Sequence, residues 1–251
     1  MTPLPQTAVI VGASRGVGNA IAKQLLERGC DTVFCASRDA VRATGLAALR
    51  KDFGDRVVPV DLDITNDDSV AEAASNVATH TEQVDWVVNT AGLLHDGELQ
   101  PERRLADIQS SNLLRLFAVN SVGPLLLARY FAPLLPRQET CVVASLSARV
   151  GSICDNRLGG WYGYRASKAA QNMLIRTLSI ELRRRYKRVR CVALHPGTVE
   201  TDLSAPFRGG VAEKKLFSPA TSADYLLKVL EQLNDDDNGK FFAWDGQEIP
   251  W

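Results

Sequence analysis

Hydrophobic and polar positions follow two alternating periods along this chain, and each change of period predicts a change of element. Short apolar runs that are rich in β-branched residues and bounded by turn residues predict buried parallel strands. Between them, apolar residues recur at helical spacing. The strand segments, some with their exit loops, are TAVIV, DTVFCASR, VVPVDLDIT, EQVDWVVNTAGLL, TCVVASLSARVGSICDN and VRCVALHPGTVETDL. This succession predicts an α/β fold with a parallel sheet.

Two apolar segments depart from that alternation. Segment 110–136 has helical periodicity, but Asn120 is a poor interior helix residue, and Gly123 and Pro124 weaken the helix directly after it. We expect a kink, with two interpretations of Asn120. In the first, the side chain of Asn120 makes its hydrogen bonds to the backbone. In the second, the kink at Asn120 exposes a backbone carbonyl group and holds a water molecule. The C-terminal FFAWDGQEIPW is expected to pack back onto the body.

A glycine cluster follows the first predicted strand. Gly12, Gly16 and Gly18 form G-x-x-x-G-x-G, and apolar residues at helical spacing come next. A strand, a glycine loop and a helix N-terminus together form a phosphate cradle, because backbone N–H groups and the helix dipole point at the anion. The spacing differs from the standard G-x-G-x-x-G. The alternative is a tight turn between a strand and a helix.

The end of the second predicted strand bears on the choice of cofactor. A site for NAD carries an acidic residue about twenty residues beyond the glycine loop, whereas this chain has Ser37 and Arg38 there. Arg38 and Arg15 suit a bidentate contact with a 2′-phosphate, so NADP(H) is predicted. The alternative for each arginine is a solvated surface side chain.

Small residues follow the fourth predicted strand as Asn89, Thr90, Ala91 and Gly92. They allow a flat group to lie against the backbone. The alternative is a simple turn at the end of the strand.

The segment GGWYGYRASK contains a candidate acid–base pair. Tyr164 and Lys168 are four residues apart, which on a helix places them on one face, one turn from each other. A neighbouring ammonium favours the phenolate and tunes a tyrosine toward working pH. The alternative is an exposed Tyr and Lys on an ordinary helix. The presence of the other motifs in the same chain argues against it.

Ser145 and Ser147 stand at the end of the fifth predicted strand. Being two apart, they point to the same face, so only their position along the strand separates them. Ligands of doubly wound sheets bind beyond the carboxyl ends of strands, and Ser147 lies nearer that edge. We predict Ser147 as the catalytic serine. His195 has no second histidine or carboxylate at ligand spacing, so it is interpreted as structural and no metal site is predicted.

Composition narrows the function classes. The 251 residues suit one large α/β domain or two small ones. The 29 basic and 29 acidic side chains give no field that attracts nucleic acid or an anionic membrane. No signal peptide is recognised, and no apolar run is expected to span a bilayer. Five cysteines without C-x-x-C spacing predict reduced thiols of a cytoplasmic protein.

These motifs together resemble the short-chain dehydrogenase/reductase family over nearly the whole chain. The resemblance rests on GASRGVG at the first turn, DI at 63–64, NTAG at 89–92, Asn120, the two serines, YRASK at 164–168 and PGTVET at 196–201, all in family order. The stretch from SARVGS to QNML and the ending DGQEIPW are similar to C-factor and sniffer-type carbonyl reductases. Val11 and Thr90 depart from the family pattern, and the loop between the serines and the tyrosine is longer than usual.

The resemblance implies a single Rossmann-like domain over residues 1–251, with a doubly wound parallel sheet of about seven strands and helices on both faces. The pyrophosphate and adenosine ribose phosphate would be held by Gly12, Ser14, Arg15, Gly16, Val17 and Gly18. The 2′-phosphate and adenine would be received by Ser37, Arg38, Asp63 and Ile64. The nicotinamide side would be lined by Asn89, Ala91, Gly92, Tyr164, Lys168, Pro196, Gly197, Val199 and Thr201.

The resemblance also implies an activity. Tyr164 would be the general acid or base, with Lys168 lowering its pKa, Ser147 polarising a carbonyl and Asn120 holding a water. The expected protein is an NADP(H)-dependent carbonyl or alcohol oxidoreductase, with NAD(H) as the second cofactor, and a homodimer or homotetramer. A C-factor-like signalling or developmental protein that binds the nucleotide with little turnover is the alternative. Trp161, Tyr162 and Phe207 suggest an apolar or aromatic ligand, and the alternative for each is packing within the protein.

Overall fold

The computed structural model of the protein describes residues 1–206 and 216–251. Within these residues, seven strands form one parallel sheet. Its strands are β1 (Thr7–Val11), β2 (Thr32–Ser37), β3 (Val57–Asp61), β4 (Trp86–Asn89), β5 (Thr140–Leu146), β6 (Arg188–His195) and β9 (Phe241–Ala243). Two short strands, β7 (Thr198–Val199) and β8 (Leu216–Phe217), pair with each other apart from it.

The strand order is β3-β2-β1-β4-β5-β6-β9. The order reverses between β1 and β4, and in open α/β sheets ligands bind beyond the carboxyl ends of the strands at such a switch point. The glycine loop leaves β1, and the segment 89–92 leaves β4. The topology therefore brings these two predicted site segments together.

Helices cover both faces of the sheet. They are α1 (Gly16–Glu27), α2 (Thr44–Phe53), α3 (Asp67–His80), α4 (Ser110–Phe117), α5 (Gly123–Phe131), α6 (Tyr162–Arg185) and α7 (Pro219–Gln232). Alternate residues of one strand point to opposite faces. Ile10 accordingly joins the core with α1, α2 and α7, whereas Val9 joins the core with α3, α5 and α6. The predicted doubly wound α/β fold is confirmed.

The C-terminal tail contributes more than its pattern predicted. Phe241–Ala243 form the seventh strand and pair with β6, so this segment belongs to the sheet itself. Trp251 then stacks on Phe241, and its carbonyl oxygen accepts a hydrogen bond from the Cys154 N–H. The strand has only three residues, all buried, and so shows neither alternation nor length in the sequence.

The helical segment 110–136 is irregular at the position where the kink is predicted. Ala118–Val122 form a π-helix between α4 and α5, and Asn120 lies within it, fully buried. Close packing explains Gly123, since a Cβ there would lie 2.6 Å from Ile64 Cγ1. The expectation that no apolar run could span a bilayer was wrong by length and composition. Residues 110–134 are long and apolar enough to do so, and a third of their most apolar 18-residue stretch is buried inside the molecule.

All five cysteines are free thiols, and four of them are buried. Burial raises the pKa of Cys30, Cys35, Cys141 and Cys191 to about 12 in each case. A thiol with so high a pKa carries little thiolate at neutral pH and is inert. These four side chains therefore act as small apolar core residues.

Candidate active site

The glycine loop is shaped by contacts that exclude larger residues. Gly12 has φ 84°, and a Cβ on it would lie 2.7 Å from Thr90 Oγ1. A Cβ on Gly18 would collide with the carbonyl oxygen of Gly12. Helix α1 begins at Gly16 with neither a side-chain cap nor an acidic residue in its first turn. No side chain therefore caps its first N–H groups, as the predicted phosphate cradle requires.

The departure at Thr90 has a structural role in this loop. The Thr90 N–H and its Oγ1 hydroxyl both donate to the Val11 carbonyl oxygen at 2.8 Å. The threonine thus ties the end of β4 to the end of β1. The two residues that depart from the family pattern contact each other and leave the glycines unchanged.

The ends of β2 and β3 form the side of the cleft assigned to adenosine. Ser37 Oγ is buried and has no hydrogen-bond partner among the described residues, which leaves a donor for a ligand. Arg38 is exposed beside it. Asp63 accepts hydrogen bonds from the N–H and hydroxyl of Thr65, and these bonds, with Arg38 nearby, hold the pKa of its carboxyl below the usual value. Ile64 is buried.

A second loop faces the glycine loop across the cleft. Arg15 forms an ion pair with Asp202 at 3.2 Å, with both side chains exposed. A Cβ on Gly16 would lie 3.3 Å from Thr201 Cγ2, so the two loops are in van der Waals contact. Arg15 therefore reaches a 2′-phosphate only by leaving a weak surface ion pair.

The loop after β6 carries the last group of predicted cofactor contacts. Gly197 has φ 78°, and a Cβ there would lie 2.6 Å from a ring carbon of Phe217. The Pro196 carbonyl oxygen accepts a hydrogen bond from the Ser222 hydroxyl, and Val199 pairs with Phe217 in the small sheet. Phe207, a predicted ligand contact, lies outside the described residues.

Buried polar groups converge where β4 ends. Asn89 Nδ2 donates to Ser145 Oγ at 2.9 Å, and Asn89 Oδ1 accepts from the Ala91 N–H at 3.0 Å. A Cβ added to Gly92 would lie 3.6 Å from Asn120 Oδ1 and 3.7 Å from Lys168 Nζ. The bare glycine thus leaves a narrow space between the amide and the ammonium.

The Asn120 side chain is held on both sides. Its Nδ2 donates to the Leu93 carbonyl oxygen at 2.8 Å and to Ser167 Oγ at 3.0 Å, and its Oδ1 accepts from the Leu93 N–H at 2.8 Å. Both Nδ2 protons and one lone pair of Oδ1 are therefore used within the protein, which fixes the side chain in place. Its backbone lies in the π-helix, a form that is frequent at functional sites.

Tyr164 and Lys168 lie on one face of α6, as their spacing predicts. Both are buried, and Lys168 Nζ is 5.9 Å from the centre of the Tyr164 ring. The ammonium donates to the Leu146 carbonyl oxygen at 2.8 Å and to Gln171 Oε1 at 2.9 Å. The end of β5 and the third turn of α6 thus fix its position.

The pKa of Tyr164 moves away from neutrality in this structure. Burial lowers the pKa of Lys168 to about 7, because the surroundings disfavour its charge. Burial likewise raises the pKa of Tyr164 above its ordinary value. The resemblance implies the opposite direction for the tyrosine. Desolvation is the cause of the shift in the tyrosine pKa, and Tyr164 stays protonated at neutral pH.

Amide groups engage both candidate serines. Ser145 Oγ accepts from Asn89 Nδ2 at 2.9 Å and from Gln171 Nε2 at 2.7 Å. Ser147 Oγ donates to Asn172 Oδ1 at 2.7 Å. Of the residues that follow β5, Ala148 and Val150 pack against the apolar cluster that contains Tyr164.

His195 fits its structural interpretation. It ends β6, and its Nδ1 is buried without a hydrogen-bond partner among the described residues. Burial lowers the pKa of the ring to about 4, so the imidazole is neutral at physiological pH. Among the described residues, no group of three histidine, cysteine, aspartate or glutamate side chains forms a metal site.

Sequence reasoning missed the polar face of α6 beyond Lys168. Ser167, Gln171 and Asn172 are almost fully buried and bond, respectively, to Asn120, Ser145 and Ser147. Gln171 and Asn172 lie three and four residues after Lys168, on the same face of the helix. That spacing was the available signal, since polar residues on the core side of a helix need partners.

The fold and the site define a class of protein. A glycine cradle, a switch point and a buried Tyr–Lys pair at the carboxyl edge of a parallel sheet are those of a dinucleotide-binding α/β oxidoreductase. The profile of the family described as short chain dehydrogenase matches residues 6–211. The chain belongs to that family.

Three known proteins illustrate the relationship. A 1-hydroxy-2-glutathionyl-2-methyl-3-butene dehydrogenase of Rhodococcus sp. is 32% identical over 98% of this chain and 99% of its own. The C-signal protein of Myxococcus xanthus is 36% identical over 71% of this chain and 98% of its own. The NADPH-bound carbonyl reductase from chicken fatty liver superposes with a TM-score of 0.88 at 29% identity, over 100% of this chain and 96% of its own.

Proposed function

We propose that this protein is an NADP(H)-dependent oxidoreductase that interconverts a carbonyl compound and an alcohol. The observation that carries the proposal is the buried Tyr164–Lys168 pair beside the glycine cradle. The likeness to an NADPH-bound carbonyl reductase supports reduction of a carbonyl as the reaction and NADPH as the cofactor. The residues proposed to take part in catalysis are Tyr164, Lys168, Ser147 and Asn120.

Bound cofactor supplies the hydride, and the chain supplies the proton. Tyr164, protonated at neutral pH because burial raises its pKa, donates to the substrate oxygen during reduction. Lys168, whose pKa is about 7, exchanges protons near neutrality and replenishes the tyrosine. Ser147 donates a hydrogen bond to the same oxygen, and Asn120 holds the helix kink open for a water that passes protons to Lys168.

The cofactor residues suit a dinucleotide with a 2′-phosphate. The Ser37 hydroxyl, which has no hydrogen-bond partner among the described residues, lies at the end of β2 next to Arg38, where a site for NAD carries an acidic residue. Pyrophosphate binds at the α1 N-terminus in this proposal. The nicotinamide lies against Ala91 and Gly92 on one side and the loop after β6 on the other.

The substrate proposed for this site is apolar or aromatic close to its carbonyl group. Tyr164 shares its cluster with Leu94, Leu99 and Leu116, and the ring of Trp161 stands edge-on to it at 6.2 Å. The three leucines are buried behind the tyrosine, whereas the half-buried Trp161 offers apolar contact area of the kind that is typical of small-molecule sites.

NADPH is expected to bind at least about ten-fold more tightly than NADH, since one charge-assisted contact with the 2′-phosphate contributes about 1.5–3 kcal/mol. Calorimetric titration of both cofactors into the wild-type protein measures the ratio. Arg38→Ala should remove most of the preference by weakening NADPH alone. Equal dissociation constants in the wild-type protein would contradict the assignment.

We propose that the protein assembles as a dimer or tetramer with two-fold symmetry through α5 and α6. Leu125, Met173 and Ile180 expose 38%, 66% and 53% of their surface on these helices. Light scattering should give about two or four times 27.4 kDa. A Met173→Lys, Ile180→Lys variant should be monomeric, whereas Ile153→Lys, on an exposed loop elsewhere, should keep the wild-type mass. A monomeric wild-type protein would refute the assembly.

The likeness to C-signal supports a second candidate, a nucleotide-binding signalling protein with little turnover. A panel of ketones, aldehydes and quinones, with consumption followed by NADPH absorbance, separates the two. The oxidoreductase should consume NADPH with at least one apolar carbonyl. Tight NADPH binding with no consumption across the panel would favour the signalling protein. The reduced thiols support a cytoplasmic location for either candidate function.

A further inference from the structure

The helix that carries Tyr164 begins in a strained turn. Gly159, Gly160 and Trp161, here named the Trp161 turn, have φ values of 64°, 65° and 53°. Trp161 is the sole non-glycine residue with positive φ in the described part of the chain. Side chains with a Cβ disfavour this conformation, and such residues persist only where their surroundings over-determine them.

Glu102, 59 residues before Trp161, holds this turn from one side. Its carbonyl oxygen accepts the Trp161 N–H at 2.6 Å, and its carboxylate Oε2 accepts the Gly163 N–H at 3.1 Å. The glutamate is only 3% exposed. Helix α6 has no side-chain cap of its own, so the carboxylate of a distant residue serves as its cap.

Arg165 holds the turn from the other side. Its Nε donates to the Gly159 and Gly160 carbonyl oxygens at 3.2 and 2.9 Å, and its Nη1 donates to the Val150 carbonyl oxygen at 3.3 Å. The Trp161 turn is thus fixed by backbone and side-chain contacts from two directions. The contacts from Glu102 and Arg165 determine the backbone conformation of the turn.

The turn and the glutamate bear directly on the candidate acid. Tyr164 follows Gly163, whose N–H the carboxylate accepts, and its ring stands edge-on to the Trp161 ring at 6.2 Å. A Cβ on Gly163 would lie 2.8 Å from Glu102 Oε1. Bare backbone at 163 is what lets the carboxylate reach the first turn of the helix.

We infer that Glu102 is a positioning residue that sets Tyr164 and Trp161 in their working geometry. The inference rests on the proposed function and adds to it a residue that contacts neither cofactor nor substrate. A carboxylate suits the place because the N-terminus of a helix favours negative charge. Its Oε1 is buried without a hydrogen-bond partner among the described residues, a cost that an apolar residue would not carry.

The test compares Glu102→Ala and Glu102→Gln with the wild-type protein. Glu98→Gln is the matched control, because Glu98 is an exposed acid on the same loop. Incorporated 5-fluorotryptophan gives four ¹⁹F resonances, one for each tryptophan. Trp161→Phe identifies the resonance of Trp161. Turnover is measured per NADPH-binding site, so that loss of folded protein does not count as loss of catalysis.

Glu102→Ala should shift the Trp161 resonance, leave the other three in place and leave NADPH affinity unchanged. It should lower kcat by about ten-fold or more, since a small misplacement of a reacting group is costly. Glu102→Gln keeps an acceptor for the Gly163 N–H and should recover most of that loss. Glu98→Gln should behave as wild type in both measurements.

An unmoved Trp161 resonance in Glu102→Ala, or a kcat per site equal to that of wild type, would overturn the inference. If the wild-type protein turns over no carbonyl, the proposed function fails, and the ¹⁹F spectrum alone then decides whether Glu102 positions the turn.

Discussion

Replacing Tyr164 with phenylalanine should lower turnover by about 10²–10⁴, the usual contribution of a positioned acid, while NADPH affinity stays nearly unchanged. The ring would still fill the cluster with Leu94, Leu99 and Leu116, so the fold loses no packing. Only the hydroxyl is removed, and with it the proton donor. The measurement is kcat by NADPH absorbance, with calorimetry for the cofactor.

Tyr162→Phe is the matched control for this prediction. Tyr162 lies on the same helix, two residues earlier, and is 41% exposed, so its hydroxyl faces away from Lys168. Its removal should leave kcat within about two-fold of wild type, as expected for a surface substitution. Near-normal turnover in Tyr164→Phe would mean that another group donates the proton.

Ser147→Ala should lower turnover by about 10²-fold or more, in line with the loss of one donor to a developing oxyanion. Ser147 lies beyond Ser145 toward the carboxyl end of β5, and its hydroxyl proton now goes to Asn172 Oδ1. A substrate oxygen within reach would compete for that proton. Steady-state kinetics on the purified variant give the result.

Ser145→Ala, the paired variant, should change stability more than turnover. Ser145 Oγ accepts from the amides of Asn89 and Gln171, and its loss leaves two buried N–H groups without that acceptor. Each such group costs about 1–3 kcal/mol of unfolding free energy. Reversed effects would make Ser145 the catalytic serine. Equal, small effects on turnover would mean that neither hydroxyl polarises the carbonyl.

Much of the fold was predictable because its signals are local. Buried strands such as Thr7–Val11 alternate with helices at short range, and the glycine loop needs its glycines for contacts within a few residues and with Thr90. The strand Phe241–Ala243 carries no such signal, because its pairing with β6 is a long-range property.

The features of the candidate site likewise divide into those encoded by local sequence and those that depend on distant residues. The Tyr164–Lys168 spacing is read from one helix, and the kink at Asn120 from one segment. The cap that Glu102 places on α6 joins positions 61 residues apart, which no periodicity encodes. The direction of the Tyr164 pKa depends on burial by the whole fold and was unpredictable from its neighbour alone.

The most direct measurement of the central claim is product formation by the wild-type protein. NADPH and an apolar ketone or quinone are incubated with the protein, and the alcohol formed is quantified by mass spectrometry against the NADPH consumed. The account predicts one alcohol for each NADPH, with Tyr164→Phe forming almost none. NADPH bound tightly in the wild-type protein without alcohol from any carbonyl offered would contradict it.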